Sequence, residues 1–195
     1  MGSFDGMSVT DFVDTLRRMA PFGLQQAAVQ KLAASVDPRS PELDRFVRFS
    51  DERYTRNSVV RTPQFEVMVL CWRPGQGTPI HDHFHSFGVV RCLTGPLRAD
   101  PYDLLPANGG PRTVRRRREG LFAPGQVSVS CRGDIHRMGN LEAGREDLIT
   151  LHTYVPPLSQ MTCFDPEKRV EWIRRVLGED GGTVVDEPPH APATA

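Results

Sequence analysis

The chain has 195 residues, with 24 lysines and arginines against 24 aspartates and glutamates, so its formal net charge is zero. That balance predicts neither a nucleic acid nor an anionic membrane as partner, and the length suits one domain with a sizeable core. The cysteines Cys71, Cys92, Cys131 and Cys163 form no CxxC pair, no signal-peptide pattern precedes them, and no apolar run approaches the ~20 residues that span a bilayer. A soluble cytoplasmic protein with free thiols is expected.

In chain order, residues 1–7 read as a loose start. Val9, Phe12, Val13, Leu16 and Met19 recur at helical spacing, with Ser8 or Thr10 as cap, and Pro21 and Gly23 end the helix. A second helical period runs from Leu24 to Val36, and a third, short one starts at Pro41 and carries Leu43, Phe46 and Val47. From Phe49 the pattern changes to strands. Tyr54–Val60 alternates, and Phe65–Trp72 is an apolar run bounded by Pro63 and Pro74-Gly75. Ser86–Leu93, Leu97–Tyr102, Thr113–Arg118, Val127–Cys131 and Asp147–Tyr154 follow, separated by Gly, Pro or Asn. Many short strands at near-even spacing predict an all-β barrel or sandwich preceded by helices. Val170, Ile173, Val176 and Leu177 predict a C-terminal helix, and the Pro- and Gly-rich end predicts a flexible tail. The expected plan is a helical region over 1–48, a β-barrel over 49–165, a helix over 166–177 and a tail over 178–195, forming one domain.

Chemistry concentrates in Gly75–Gly95, GQGTPIHDHFHSFGVVRCLTG. His81 and His83 are two apart, so on a strand both imidazoles face one side and can reach one metal ion. His136, in CRGDIHRMGN, is a third candidate ligand. The competing reading is histidines merely packed inside a barrel. The order of Gly75, the HxH pair and Gly95 resembles the first motif of the cupin superfamily, and Gly133, His136 and Asn140 resemble the second. The resemblance implies a cupin β-barrel (a double-stranded β-helix, or jelly roll) with His81, His83 and His136 as metal ligands.

Gly88 stands where that pattern has a glutamate ligand. Most non-haem iron oxygenases hold the metal with two histidines and a carboxylate. Three neutral imidazoles leave a divalent ion its full charge, which favours an anionic ligand such as a thiolate. The same set would also hold zinc.

A narrower resemblance covers about Phe49 to Phe164. The pieces YTRN (Tyr54–Asn57), LCW followed by PGQGTPIHDH, IHRMGN and LHTYVPP (Leu151–Pro157) are similar to the cysteine dioxygenase family. Membership implies Fe(II) as cofactor, with a small thiol and O2 as substrates and a sulfinic acid as product. It implies that Arg56 pairs with the substrate carboxylate, for which a guanidinium is a bidentate match, and that Tyr54 lines the pocket. It also implies that Thr150, His152 and Tyr154 form a hydroxyl–histidine–tyrosine relay, with threonine where serine is usual.

The animal enzymes of the family join a cysteine to the tyrosine by a thioether; here that position is Gly88, so Tyr154 is expected unmodified, and Cys92 is too far along to substitute. His85 is read as a pocket-rim residue, and Arg115–Arg118 as a solvated edge strand rather than a nucleic-acid patch. L-Cysteine is the expected substrate, with 3-mercaptopropionate or mercaptosuccinate as rivals and a non-catalytic metal-binding cupin as a further alternative. A zinc or manganese isomerase on the same barrel would ordinarily keep the carboxylate that Gly88 replaces. The expected assembly is a monomer or homodimer.

Overall fold

The computed structural model describes residues 6–107, 112–141, 144, 146–168, 170–177 and 183–186. Two helices lead, α1 (Val9–Met19) and α2 (Gln26–Ala34), and a 3-10 turn, Pro41–Phe46, follows. Ser8 caps α1 by accepting from the Asp11 amide at 3.0 Å. No helix among the described residues is long and apolar enough to cross a membrane.

Thirteen strands follow among the described residues. They are β1 (Thr55–Arg61), β2 (Glu66–Trp72), β3 (Ile80–His81), β4 (Phe87–Thr94), β5 (Leu97–Leu105), β6 (Thr113–Arg116) and β7 (Leu121–Phe122). The remainder are β8 (Val127–Ser130), β9 (Ile135–Gly139), β10 (Leu148–Val155), β11 (Gln160–Asp165), β12 (Val170–Leu177) and β13 (Thr183–Asp186). One sheet has the order β1-β2-β10-β4-β8; the other runs β13-β12-β11-β3-β9-β5-β6, with β7 against β5. Every named pairing is antiparallel.

Residue alternation divides the core. On β2, Val67, Val69 and Cys71 face outward and pack with Phe12, Leu16 and Val29 of the helices, whereas Met68, Leu70 and Trp72 face inward with Leu97, Ala99 and Met138 of the opposite sheet. That double burial explains why Val67–Trp72 reads as an unbroken apolar run. The two sheets therefore close on each other as the predicted barrel, with the helices as a third layer outside the first sheet.

Two expectations at the C-terminus need correction. Residues 170–177 form a strand, not a helix: β12 pairs along its length with β11 and then with β13. Its helical-looking spacing is overridden by the open edge of β11, which a strand completes. Residues 183–186, expected in the tail, pair as β13; the rest of the 178–195 stretch lies outside the described residues. The arginine run behaves as expected, since β6 is a sheet edge and Arg116 and Arg117 make ion pairs with Asp100, Glu119 and Asp103.

Candidate metal centre

Strand register and a tight turn assemble the histidine cluster. His81 ends β3 and is the register partner of His136 on β9. His83 lies just past the strand, in a turn held by Asp82: its amide donates to Thr162 O at 3.0 Å, and its carboxylate accepts from the Thr162 and Phe84 amides at 2.8 and 3.2 Å. Phe84 at φ 53° turns the chain there, so no strand continues from His81 and His85 sits exposed against the Phe84 ring. Behind the cluster, Gly77 and Gly139 bridge so closely that a side chain at Gly139 would collide with the Gln76 carbonyl.

The ligand atoms of His81, His83 and His136 lie within 4.8 Å of one another, and all three residues are buried. His81 Nδ1 donates to Pro79 O at 3.0 Å, and His83 Nδ1 contacts Ser130 Oγ at 3.1 Å. The Pro79 bond leaves the His81 Nε2 lone pair free for a ligand, and His83 Nε2 and His136 Nε2 approach to 3.1 Å. Burial pushes His81 down to about 4 and holds His83 and His136 well below the usual histidine range, so all three are neutral near pH 7. Two imidazole lone pairs at that separation repel unless a proton or a cation lies between them. The donor set therefore fits a divalent metal, and the oriented Nδ1 groups are the outer contacts such a site needs. No carboxylate joins the cluster among the described residues.

Beside the cluster runs a directional chain on the inner face of β10. Trp72 Nε1 donates to Thr150 Oγ1 at 2.9 Å, Thr150 Oγ1 meets His152 Nε2 at 2.8 Å, and His152 Nδ1 meets the Tyr154 hydroxyl at 3.1 Å. An indole N–H only donates, so the buried Thr150 oxygen accepts there and its hydrogen goes to its remaining partner, His152 Nε2. His152 is then the Nδ1–H tautomer and donates to Tyr154, which leaves the tyrosine hydrogen for a group in the site. Burial pushes His152 down to about 3, and burial likewise drives the Tyr154 hydroxyl far above its usual range, with Arg56 partly opposing through charge and a hydrogen bond. The Tyr154 ring meets His83 edge-on, centroids 5.1 Å apart.

Arg56 on β1 and Tyr54, stacked on Trp72 at 4.3 Å, border a cavity of about 860 Å³ that reaches Pro79, the residue orienting His81. Gly88 is directly opposite Tyr154 and Cys92 opposite Thr150, with the Cys92 thiol bonded to Gly95 O at 3.2 Å. The predicted residues Tyr54, Arg56, His81, His83, His136, Thr150, His152 and Tyr154 thus converge on one end of the barrel interior.

Sequence reasoning missed four contributors. Trp72 was legible only as an apolar strand residue. Ser130 had a faint signal in VSVS, where serine occupies the inward positions. Arg174 and Asp186 border the same cavity, Arg174 Nε and Nη2 donating to Asp186 at 2.6 and 2.8 Å, and were lost with the mistaken helix.

The comparisons agree with this geometry. The family model described as cysteine dioxygenase type I matches residues 3–167. Curated relatives named cysteine dioxygenase type 1 include one from Danio rerio, 28% identical over 161 residues (81% of this chain and 79% of the relative). One from Rattus norvegicus is 28% identical over 138 residues, 70% of this chain and 68% of the relative. Among solved structures, an uncharacterized conserved protein with a double-stranded β-helix domain from Klebsiella pneumoniae is similar at TM-score 0.50 and 21% identity, over 63% of this chain and 88% of that one. The fold is accordingly the cupin double-stranded β-helix. With a family match extending over most of its length, the chain belongs to the cysteine dioxygenase type I family.

Proposed function

We propose that this protein is a cytoplasmic Fe(II)-dependent thiol dioxygenase that converts L-cysteine and O2 to cysteine sulfinic acid. The observation that carries the reading is the buried three-imidazole cluster, with no carboxylate among the described residues, set beside both Arg56 and the Trp72–Thr150–His152–Tyr154 chain. Iron held by His81, His83 and His136 would supply the redox chemistry that joins a thiolate to dioxygen.

The remaining work falls to the chain itself. Arg56 holds the substrate carboxylate through its bidentate fork, with Tyr54 as wall. Tyr154 donates a hydrogen bond to the reacting groups, and its high pKa keeps that proton on the phenol. The inward-facing apolar residues Met68, Leu70 and Val90 limit water. Thr150 and His152 fix the tyrosine rather than touch the substrate.

A mercapto-dicarboxylate such as mercaptosuccinate is the second reading, because Arg174 adds another guanidinium to the cavity wall. Cysteine stands first because Asp186 already neutralises Arg174.

The test is oxygen uptake by iron-loaded protein offered L-cysteine, 3-mercaptopropionate and mercaptosuccinate, with sulfinate assayed by mass. Uptake with cysteine, abolished in His83→Ala and weakened chiefly in KM in Arg56→Ala, is expected. Absence of uptake with all three thiols at stoichiometric iron would overturn the reading.

A further inference from the structure

The N-terminal layer covers a second cavity, about 990 Å³, remote from the histidine cluster in the barrel interior and bordered by Arg18, Arg39, Arg91, Asp11 and Asp37. Its floor is unusual. Arg91 lies on β4 between Val89 and Leu93, residues of the cluster that packs under the helices, so its side chain leaves the barrel outward. The residue is only 7% exposed, its Nε has no hydrogen-bond partner, and Nη1 donates to a single carbonyl, Gly125 O, at 2.9 Å. No carboxylate among the described residues pairs with it.

A guanidinium stays charged at any physiological pH, and a charge removed from water needs a counter-charge. Asp37 acts on Arg91 through its charge but forms no ion pair with it. Asp37 accepts from the Arg39 amide and Nε at 2.9 and 3.4 Å, and Asp11 from the Ser8 hydroxyl at 2.9 Å. Three arginines against two carboxylates leave the cavity net positive. Arg18 and Arg39 stand at its exposed rim.

We propose that this cavity is a binding site for a small oxyanion of the phosphate class, seated on the Arg91 guanidinium and closed by Arg18 and Arg39. The site joins α1 and the 36–39 turn to the outer face of β4, so its ligand ties the helical layer to the barrel. It is independent of the reaction at the histidine cluster.

Thermal unfolding of the iron-loaded protein, titrated with sodium phosphate against sodium chloride at matched ionic strength, tests it. Phosphate should raise Tm saturably, by ~2–6 °C at a tenfold excess over Kd. Arg91→Met should lose the shift while its Tm without phosphate stays near or above the parent's, because a buried charge that lacks an ion pair has gone. Arg18→Ala, an exposed change that keeps the fold, should weaken the apparent affinity about fivefold or more. Neither variant should alter oxygen uptake. A stronger response to a phosphomonoester than to inorganic phosphate would identify the ligand as an organic phosphate. A non-saturable shift, or a shift unchanged in both variants, overturns the proposal; so does a shift that is lost only in Arg56→Ala, which would place the anion in the other cavity.

Discussion

Thr150→Val replaces a hydroxyl by a methyl of nearly the same shape and so isolates the hydrogen-bond chain. Trp72 Nε1 and His152 Nε2, which lie 2.9 and 2.8 Å from Thr150 Oγ1 in a fully buried setting, each lose their partner. An orphaned buried polar group costs about 1–3 kcal/mol, so the pair costs about 2–6 kcal/mol. At about 2–4 °C per kcal/mol for a chain of this size, Tm should fall by roughly 4–24 °C by calorimetry. The tautomer of His152 is no longer fixed, so kcat should drop about tenfold or more while KM for the thiol barely moves. Thr150→Ser should restore both. Adding Trp72→Phe to the valine variant removes one orphan, so the double variant should be less destabilised than the sum of the singles. A Thr150→Val protein with parental Tm and kcat would refute the direction assigned to the chain.

Chelation should lower Tm, since metal binds only the folded cluster: occupancy at a thousandfold excess over Kd is worth about 4 kcal/mol, and calorimetry with and without chelator reads it directly. Gly88→Ala places a Cβ 2.9 Å from Ser130 Oγ and 3.0 Å from His83 Cε1, so it should displace His83 and cut iron affinity about tenfold or more, measured by equilibrium dialysis. The intact mass of the native protein should show no loss of two hydrogens, because Gly88 offers no thiol opposite Tyr154. His152 ionises only near pH 3 in the fold, against about 6.5 unfolded, so its contribution is complete above pH 6.5 and declines as pH falls. Urea unfolding of the parent should therefore lose about 1.4 kcal/mol more than His152→Gln between pH 7.5 and 5.5, and equal losses would contradict a neutral buried imidazole.

Much of the site was legible because its residues sit in short motifs with a fixed period. Thr150, His152 and Tyr154 are two apart on β10, and that spacing alone puts them on one face. His81 and His83 do come together, but not through the pleat: the strand stops at His81, and the Asp82 turn returns His83 to the cluster. The C-terminal hairpin was illegible because Val170, Ile173 and Val176 satisfy helical spacing as well as they satisfy a strand of mixed faces. What decides between them is the unpaired edge of β11, a feature of the assembled sheet that no local window contains. Ser130 and Arg174 escaped for the same reason, since their value lies in partners 47 and 12 residues away.

The outer helices bear on function from the outside of the barrel. The inner face of β10 spends three positions on Thr150, His152 and Tyr154, and the cluster takes three more interior positions for histidines. An interior so polar contributes less apolar burial than a barrel ordinarily relies on, and the outer face of β2, β4 and β10 makes good the difference against the helices. Removing residues 1–48 would expose Val67, Val69, Cys71, Val89, Leu93 and Leu151, each nearly or fully buried. At about 1.5–3 kcal/mol for each fully buried aliphatic side chain, the five aliphatics alone represent roughly 7–15 kcal/mol, comparable to the whole stability of a domain at about 5–15 kcal/mol. The truncated chain should therefore be aggregated or unfolded by calorimetry and light scattering, whether or not iron is supplied. A monomeric truncated barrel that unfolds cooperatively and retains iron would show that the polar interior is stable by itself, and that the helices serve some other end.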